Sequence, residues 1–380
     1  MIIIKQAEVY SEEHVGKRDV LICAGKIELI SESIPEYYSG CKVIDGTNKI
    51  LTPGFIDQHV HITGGGGEGS FQTRAPEVNL SNLIHGGITT VVGLLGTDGI
   101  TRNVENLVAK AKALKAEGIT AFVCTGSYGY PSITITGSVM KDIAFIDEVL
   151  GVKLAISDHR APNITTEELI RLASDIRTAA MLSGKAGILV LHMGDDKASL
   201  KQVFDALNST AIPIKTFRPT HVNRREELLK DAFEFAKKGG YIDLTCGASK
   251  HRTIGRCIQE AKLNEVPLEN ITVSSDGQGS WSKYDEKGKL LKIGISEVDS
   301  LYKQFVDFVK NDGLEINEAL NYVSINVAKA LELYPQKGCI AQGSDADLLL
   351  FNEDLVLESV ISKGNVMMEN SKLCVKGTYE

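Results

Sequence analysis

The chain has no cysteine pair at metal or redox spacing, no run of like charge and no long apolar stretch. Its seven cysteines (Cys23, Cys41, Cys124, Cys246, Cys257, Cys339 and Cys374) contain no Cys-x-x-Cys. That argues against a disulfide frame or a cysteine-zinc site and predicts reduced, mostly buried thiols in a cytoplasmic protein. No Lys/Arg run forms a basic patch, and a net charge of −8 argues against nucleic acid as the main partner. No segment is long enough to span a membrane, and the apolar start, MIIIK, is too short for a signal peptide. What remains is an ordinary soluble composition, 43% hydrophobic and 24% charged, over 380 residues. Such a chain can bury a sizeable core as one large barrel or two domains.

Between residues 50 and 280, short apolar runs alternate with longer amphipathic ones. The short runs are 53–61, 88–95, 120–127, 152–157, 188–193, 218–222, 241–246 and 271–276, each rich in Val, Ile, Leu or Thr. That is the composition of parallel strands covered on both faces. The stretch from Asn103 places apolar residues at helical spacing, and another helix starts at Thr165 with glutamates in its first turn. Eight strand–helix units in a row predict an α/β fold, a (β/α)8 TIM barrel, over residues 50–337. An open doubly wound sheet is the alternative. Two more helical stretches follow, near 296–310 and 316–333. Residues 1–49 and 338–380 alternate apolar and polar residues between glycine turns, predicting a small β-sandwich domain formed by both termini.

His59 and His61 end the first run. If that run is a strand, residues i and i+2 face the same way, and two imidazoles converge at its tip. In a (β/α)8 barrel the chemistry sits at the C-terminal strand ends. His192 ends the fifth run, His221 the sixth and Asp276 the eighth, while Lys153 lies inside the fourth. The other histidines (His14, His85, His159 and His251) fall in helices or loops. A lysine inside an apolar strand either snorkels outward or pairs with a carboxylate. Alternatively, burial drives it to the neutral amine, which captures carbon dioxide as a carbamate bridging two cations. The histidine count favours the carbamate.

The segment TPGFIDQHVH (52–61) resembles the opening metal motif of the amidohydrolase superfamily, as do strand 20–30 with its Gly-Lys-Ile turn and GSDADL (343–348) near the C-terminus. The resemblance spans nearly the whole chain. Within the superfamily, GGGGE (64–68), SYG (127–129), KLAISDHR (153–160) and HVNR (221–224) resemble the isoaspartyl (β-aspartyl) dipeptidases. This resemblance implies two Zn2+ per chain, bridged by N6-carboxylated Lys153 and hydroxide. His59 and His61 would hold the more buried ion and His192 and His221 the more exposed one. Asp276 would ligate the buried ion, take the proton of the attacking hydroxide and pass it to the leaving amine. Tyr128 would stabilise the oxyanion.

The substrate implied, a β-aspartyl dipeptide, carries one α-amine and two carboxylates. Glu68 suits the ammonium; Arg160 and Arg224 suit the carboxylates in bidentate fashion; Thr97 and Ser280 would add hydrogen bonds. The glycine run 64–67 would let backbone approach substrate or let the loop close, unless it is a plain linker. The resemblance also implies a homo-oligomer. A dihydroorotase, hydantoinase or N-acyl-amino-acid deacylase would share the metal residues without needing Glu68, Tyr128, Arg160 and Arg224. A non-catalytic assembly protein related to dihydropyrimidinases would have lost metal ligands, whereas all six candidates are present.

Overall fold

A computed structural model describes residues 1–35, 40–249 and 252–380. His251 lies outside the described residues. Eight parallel strands run in chain order: Phe55–Val60, Ile88–Gly93, Thr120–Gly126, Val149–Ile156, Ile188–Met193, Phe217–Thr220, Ile242–Thr245 and Ile271–Ser274. A parallel bridge from Val60 to Gly277 joins the last strand back to the first. This is the (β/α)8 barrel expected, and its strands are buried along their whole lengths apart from half-buried Phe122 in the third. The helices outside them bury one stripe each. In Val104–Glu117 that stripe is Val104, Leu107, Val108, Ala111 and Leu114. Each such side chain contributes roughly 1.5–3 kcal/mol through area removed from water. Asn103 caps that helix by accepting from Asn106 N at 2.8 Å, and Thr165 and Glu168 form a reciprocal capping box on Thr166–Ser183.

Strands from both termini build one nine-stranded sheet. Ile2–Tyr10, His14–Cys23 and Lys26–Ser31 lie on one side of Ile50–Pro53, and Leu348–Phe351, Leu357–Ser362 and Asn365–Glu369 on the other. Ile4, Val20, Ile27, Leu348 and Ile361 belong to its own apolar cluster, separate from that of the barrel. The apolar stretch 50–61, whose later part (53–61) is the expected first barrel strand, therefore breaks in two. Ile50–Pro53 pairs with Val9 and Leu350 in the terminal sheet, and the barrel begins only at Phe55. Gly54 marks the hand-over, because a Cβ there would fall 2.1 Å from Thr89 Oγ1. Hydropathy is continuous across this joint, so composition alone could not reveal it.

The stretch 316–333 is helical from Ile316–Leu320 through a π turn at Asn321–Ile325 into Asn326–Ala330. Ala330 O accepts from Arg218 Nη2 at 3.0 Å inside the barrel. Above it, Gln58 Nε2 donates to Asp243 Oδ1 at 2.8 Å and to Thr272 Oγ1 at 2.6 Å; Thr220 and Ser274 hydroxyls each reach Asp243 Oδ2 at 2.7 Å. This buried polar layer ties four strands together beneath the mouth. All seven cysteines are free, four of them buried, and no helix among the described residues is long and apolar enough to cross a membrane.

Candidate active site

At the C-terminal ends of the strands, side chains face a cavity of about 660 Å³, whose lining includes His61, His192, His221, Asp276, Glu68 and Arg160. Two of the strand-end residues bend the chain unusually. His221 (φ 62°) and Asp276 (φ 54°) both adopt the left-handed region that non-glycine residues avoid. Such strain persists where the surroundings over-determine it, and here both bends aim donor atoms at the cavity floor.

His59 and His61 converge, with ring centroids 5.7 Å apart. Strand alternation is only part of the reason. The register shifts between Asp57 and Val60, and His61 already lies past the strand's end. Asp57 pins this irregular tip, accepting from His59 N at 3.2 Å and Ser275 N at 3.3 Å. Donor atoms of His59, His221 and Asp276 all lie within 4.8 Å of one another. Asp276 Oδ1 is 3.2 Å from His61 Nε2 and 3.5 Å from His59 Nε2. Neither approach makes a hydrogen bond, and Asp276 Oδ1 and His61 Nδ1 stay buried without a partner.

Lys153 is fully buried, its Nζ 3.1 Å from His59 Nε2. Among the described residues no carboxylate pairs with it. It therefore takes neither of the bland roles open to a strand lysine, snorkelling outward or joining an ion pair. Burial, offset only in part by Asp276, pulls its pKa down to about 7. Burial, reinforced by neighbouring cationic groups, holds His59, His192 and His221 well below the usual imidazole range. At neutral pH these rings keep a free lone pair. Neutral imidazoles, a depressed lysine and an orphaned carboxylate oxygen in one buried pocket form a donor set that suits divalent cations.

His192 is turned outward from this group. Its ring centroid lies 4.7 Å from that of His221, but Nδ1 contacts Tyr128 Oη at 2.7 Å and Nε2 contacts Asp158 Oδ2 at 3.1 Å. Burial pushes the Tyr128 phenol well up, so it remains a proton donor at neutral pH.

The recognition candidates gather on the same wall. Ser280 Oγ donates to Glu68 at 2.7 Å, Thr97 Oγ1 donates at 3.2 Å, and Arg160 Nη1 lies 3.4 Å away. Thr97 and Ser280 thus hold Glu68 rather than pointing into open space, because a buried carboxylate needs donors. Arg224 Nη1 donates to Met193 O at 3.1 Å. At two glycines of the run 64–67 local packing adds a cause beside those expected, and Gly65 and Gly66 line the cavity. A Cβ at Gly64 (φ 77°) would meet Ala75 O at 2.2 Å, and one at Gly66 (φ 82°) would meet Thr73 O at 2.4 Å. Buried Arg102 then staples the loop by donating to the carbonyls of Thr63, Gly65 and Ala75. These glycines permit tight packing of backbone on backbone, which fixes the loop carrying Glu68.

Two residues near the site escaped the reading of the sequence. Arg102 sits in a loop with no motif around it. Asp158 lies within KLAISDHR together with its partner Arg160, but the residues it also faces, His192 and Arg224, come from the ends of other strands. The hairpin of Ser280–Tyr284 and Leu290–Ile295, which adds Trp281 and Tyr284 to the cavity wall, was also unread.

The amidohydrolase family model matches residues 50–367. The chain is similar to the crystal structure of a β-aspartyl dipeptidase from Fervidobacterium islandicum AW-1 in complex with the β-Asp-Leu dipeptide. That match has 45% identity and a TM-score of 0.92, and covers 98% of each chain. An imidazolonepropionase from Aliivibrio salmonicida is 26% identical, over 87% of this chain and 85% of the relative. A dihydroorotase from Ligilactobacillus salivarius is 23% identical, over 95% and 92%.

Proposed function

This chain belongs to the amidohydrolase family, and from that premise we propose that it is a zinc-dependent dipeptidase cleaving β-aspartyl (isoaspartyl) peptide bonds. One observation carries the substrate class. A buried carboxylate, Glu68, and two guanidinium groups, Arg160 and Arg224, line one cavity beside the neutral imidazoles. With Arg160 held along one edge by Asp158, this set still offers one carboxylate and two guanidinium groups to one ammonium and two carboxylates. A ligand of this kind, β-Asp-Leu, is what the Fervidobacterium structure holds.

Amidohydrolases generally depend on two metal ions. In this reading His59, His61, His192, His221, Asp276 and carboxylated Lys153 would hold two zinc ions. When bound, these supply an acidified water and Lewis-acid polarisation of the scissile carbonyl. The protein's own groups do the rest. Glu68 binds the α-ammonium, Arg160 and Arg224 orient the carboxylates, and Tyr128 Oη donates to the developing oxyanion. Asp276 accepts a proton at Oδ1 and returns it to the leaving amine, which could not depart as an anion.

Purified protein assayed with β-Asp-Leu, α-Asp-Leu, hydantoin and dihydroorotate, alongside metal analysis, tests this reading. Hydrolysis confined to β-Asp-Leu with two metals per chain is expected. Hydantoin turnover without β-Asp-Leu cleavage would overturn it.

A further inference from the structure

Asp158 stands between the group assigned to substrate and the group assigned to metal, and nothing above gives it a role. Its side chain is 5% exposed. Arg160 donates to it three times: from its backbone N at 2.8 Å and Nε at 2.9 Å to Oδ1, and from Nη2 at 2.9 Å to Oδ2. The same Oδ2 lies 3.1 Å from His192 Nε2 and 4.0 Å from Arg224 Nη1. His159 Nδ1 lies 3.9 Å from Oδ1.

This geometry settles two orientations at once. The Nε–Nη2 edge of Arg160 is taken, so Nη1 is left facing Glu68 and Thr97 at 3.4 and 3.5 Å. Arg160 Nη2 and Arg224 Nη1 also approach His192 Nε2, at 3.4 and 3.5 Å, but Asp158 Oδ2 is nearer at 3.1 Å. A carboxylate only accepts, so a neutral His192 is favoured with its proton on Nε2 and its Nδ1 lone pair facing Tyr128 Oη. Room for this carboxylate is built into the fifth strand's exit. A Cβ on Gly194 would fall 2.3 Å from Asp158 Cβ and 2.5 Å from Oδ2.

We propose that Asp158 is a positioning residue that holds Arg160 by its Nε–Nη2 edge, leaving Nη1 for a substrate carboxylate, and selects the His192 tautomer whose lone pair lies on Nδ1, the atom that would turn from Tyr128 Oη to metal. The proposal rests on the functional reading above. A histidine ligand held by a carboxylate in this way typically binds its metal about 10–100-fold more tightly than one without that partner.

Asp158→Asn keeps the shape and removes the charge. In the metal-loaded enzyme it should raise the KM for β-Asp-Leu on the order of tenfold or more, the scale of one oriented charged hydrogen bond. Combined with Arg160→Met, it should add no further rise in KM, because it acts through that arginine. It should also release metal to a competing chelator about 10–100-fold more readily. Gly194→Ala, which displaces the carboxylate without touching Arg160 or His192, should reproduce both effects if Asp158→Asn does not fold. Additive KM effects in the double variant, or unchanged metal retention, would overturn the proposal. Wild-type turnover of β-Asp-Leu tests the functional reading separately, and the chelator measurement needs no substrate.

Discussion

Among the described residues two lysines are buried, one in the barrel mouth and one where the terminal sheet meets the barrel. Lys337 donates to Asp347 Oδ2 at 2.6 Å and Asp345 Oδ2 at 2.8 Å. Burial alone would lower its pKa, but the two carboxylates raise it, so it is a permanent ammonium. Lys153 is buried as deeply, its nearest polar partner is an imidazole, and its pKa falls to about 7. Burial is common to both, and the partner decides the chemistry. A lysine surrounded by carboxylates is part of the scaffold. A lysine whose nearest polar partner is an imidazole is substantially unprotonated near neutral pH, the form that the proposed reading needs for uptake of carbon dioxide.

The widest separation between them should come from Lys153→Ala. Turnover of β-Asp-Leu is expected to fall on the order of a thousandfold or more, since water activation and carbonyl polarisation are each worth several kcal/mol. Bound metal should fall with it, and short-chain carboxylic acids should restore part of both. Full metal retention without rescue would remove Lys153 from the bridging role.

Lys337→Met should do the reverse. It leaves two buried carboxylates short of a cation, so denaturant unfolding should show a loss of about 3–5 kcal/mol. Metal content and kcat of the folded fraction should stay as they were. An unchanged midpoint would show that Lys26, which also pairs with Asp345, suffices alone.

The smallest effect is a pH slope in metal-free protein. The unfolded chain keeps the Lys153 proton to about pH 10, whereas the folded chain releases it near 7. Between those values the unfolded state binds more protons, so stability should rise with pH, by up to about 1.4 kcal/mol per unit. The penalty is complete below about pH 7 and gone above about pH 10. Lys153→Met should flatten this slope and stabilise the metal-free protein at neutral pH. A slope that survives the substitution belongs to other groups.

Much of this was legible in the residues. Runs of Val, Ile and Leu separated by helical periodicity identify the barrel, because parallel strands covered on both faces have no polar side to show. The strand-end rule then singled out His59, His61, His192 and His221; the last three line the cavity and His59 lies buried beside His221 and Asp276, while His159, set aside by that rule, lines the cavity too. Less visible were features set by packing between distant segments. Gly54 breaks a continuous apolar run because Thr89 crosses there. Gly64 and Gly66 make room for carbonyls of 73–76, and Arg102 clamps a loop in which it has no sequence neighbour.

Composition and periodicity by themselves pointed to the barrel and, through the strand-end rule, to His59, His61, His192, His221 and Asp276, since those follow from local pattern along one chain; they did not reach Asp158, Trp281 or Tyr284. Tertiary structure alone decided what those side chains became. It withheld a carboxylate from Lys153, supplied two to Lys337, turned His192 onto Asp158 and left Asp276 Oδ1 without a partner. Charge state and tautomer depend on which groups share a low-dielectric space, and that sharing is settled only when remote strands close the barrel.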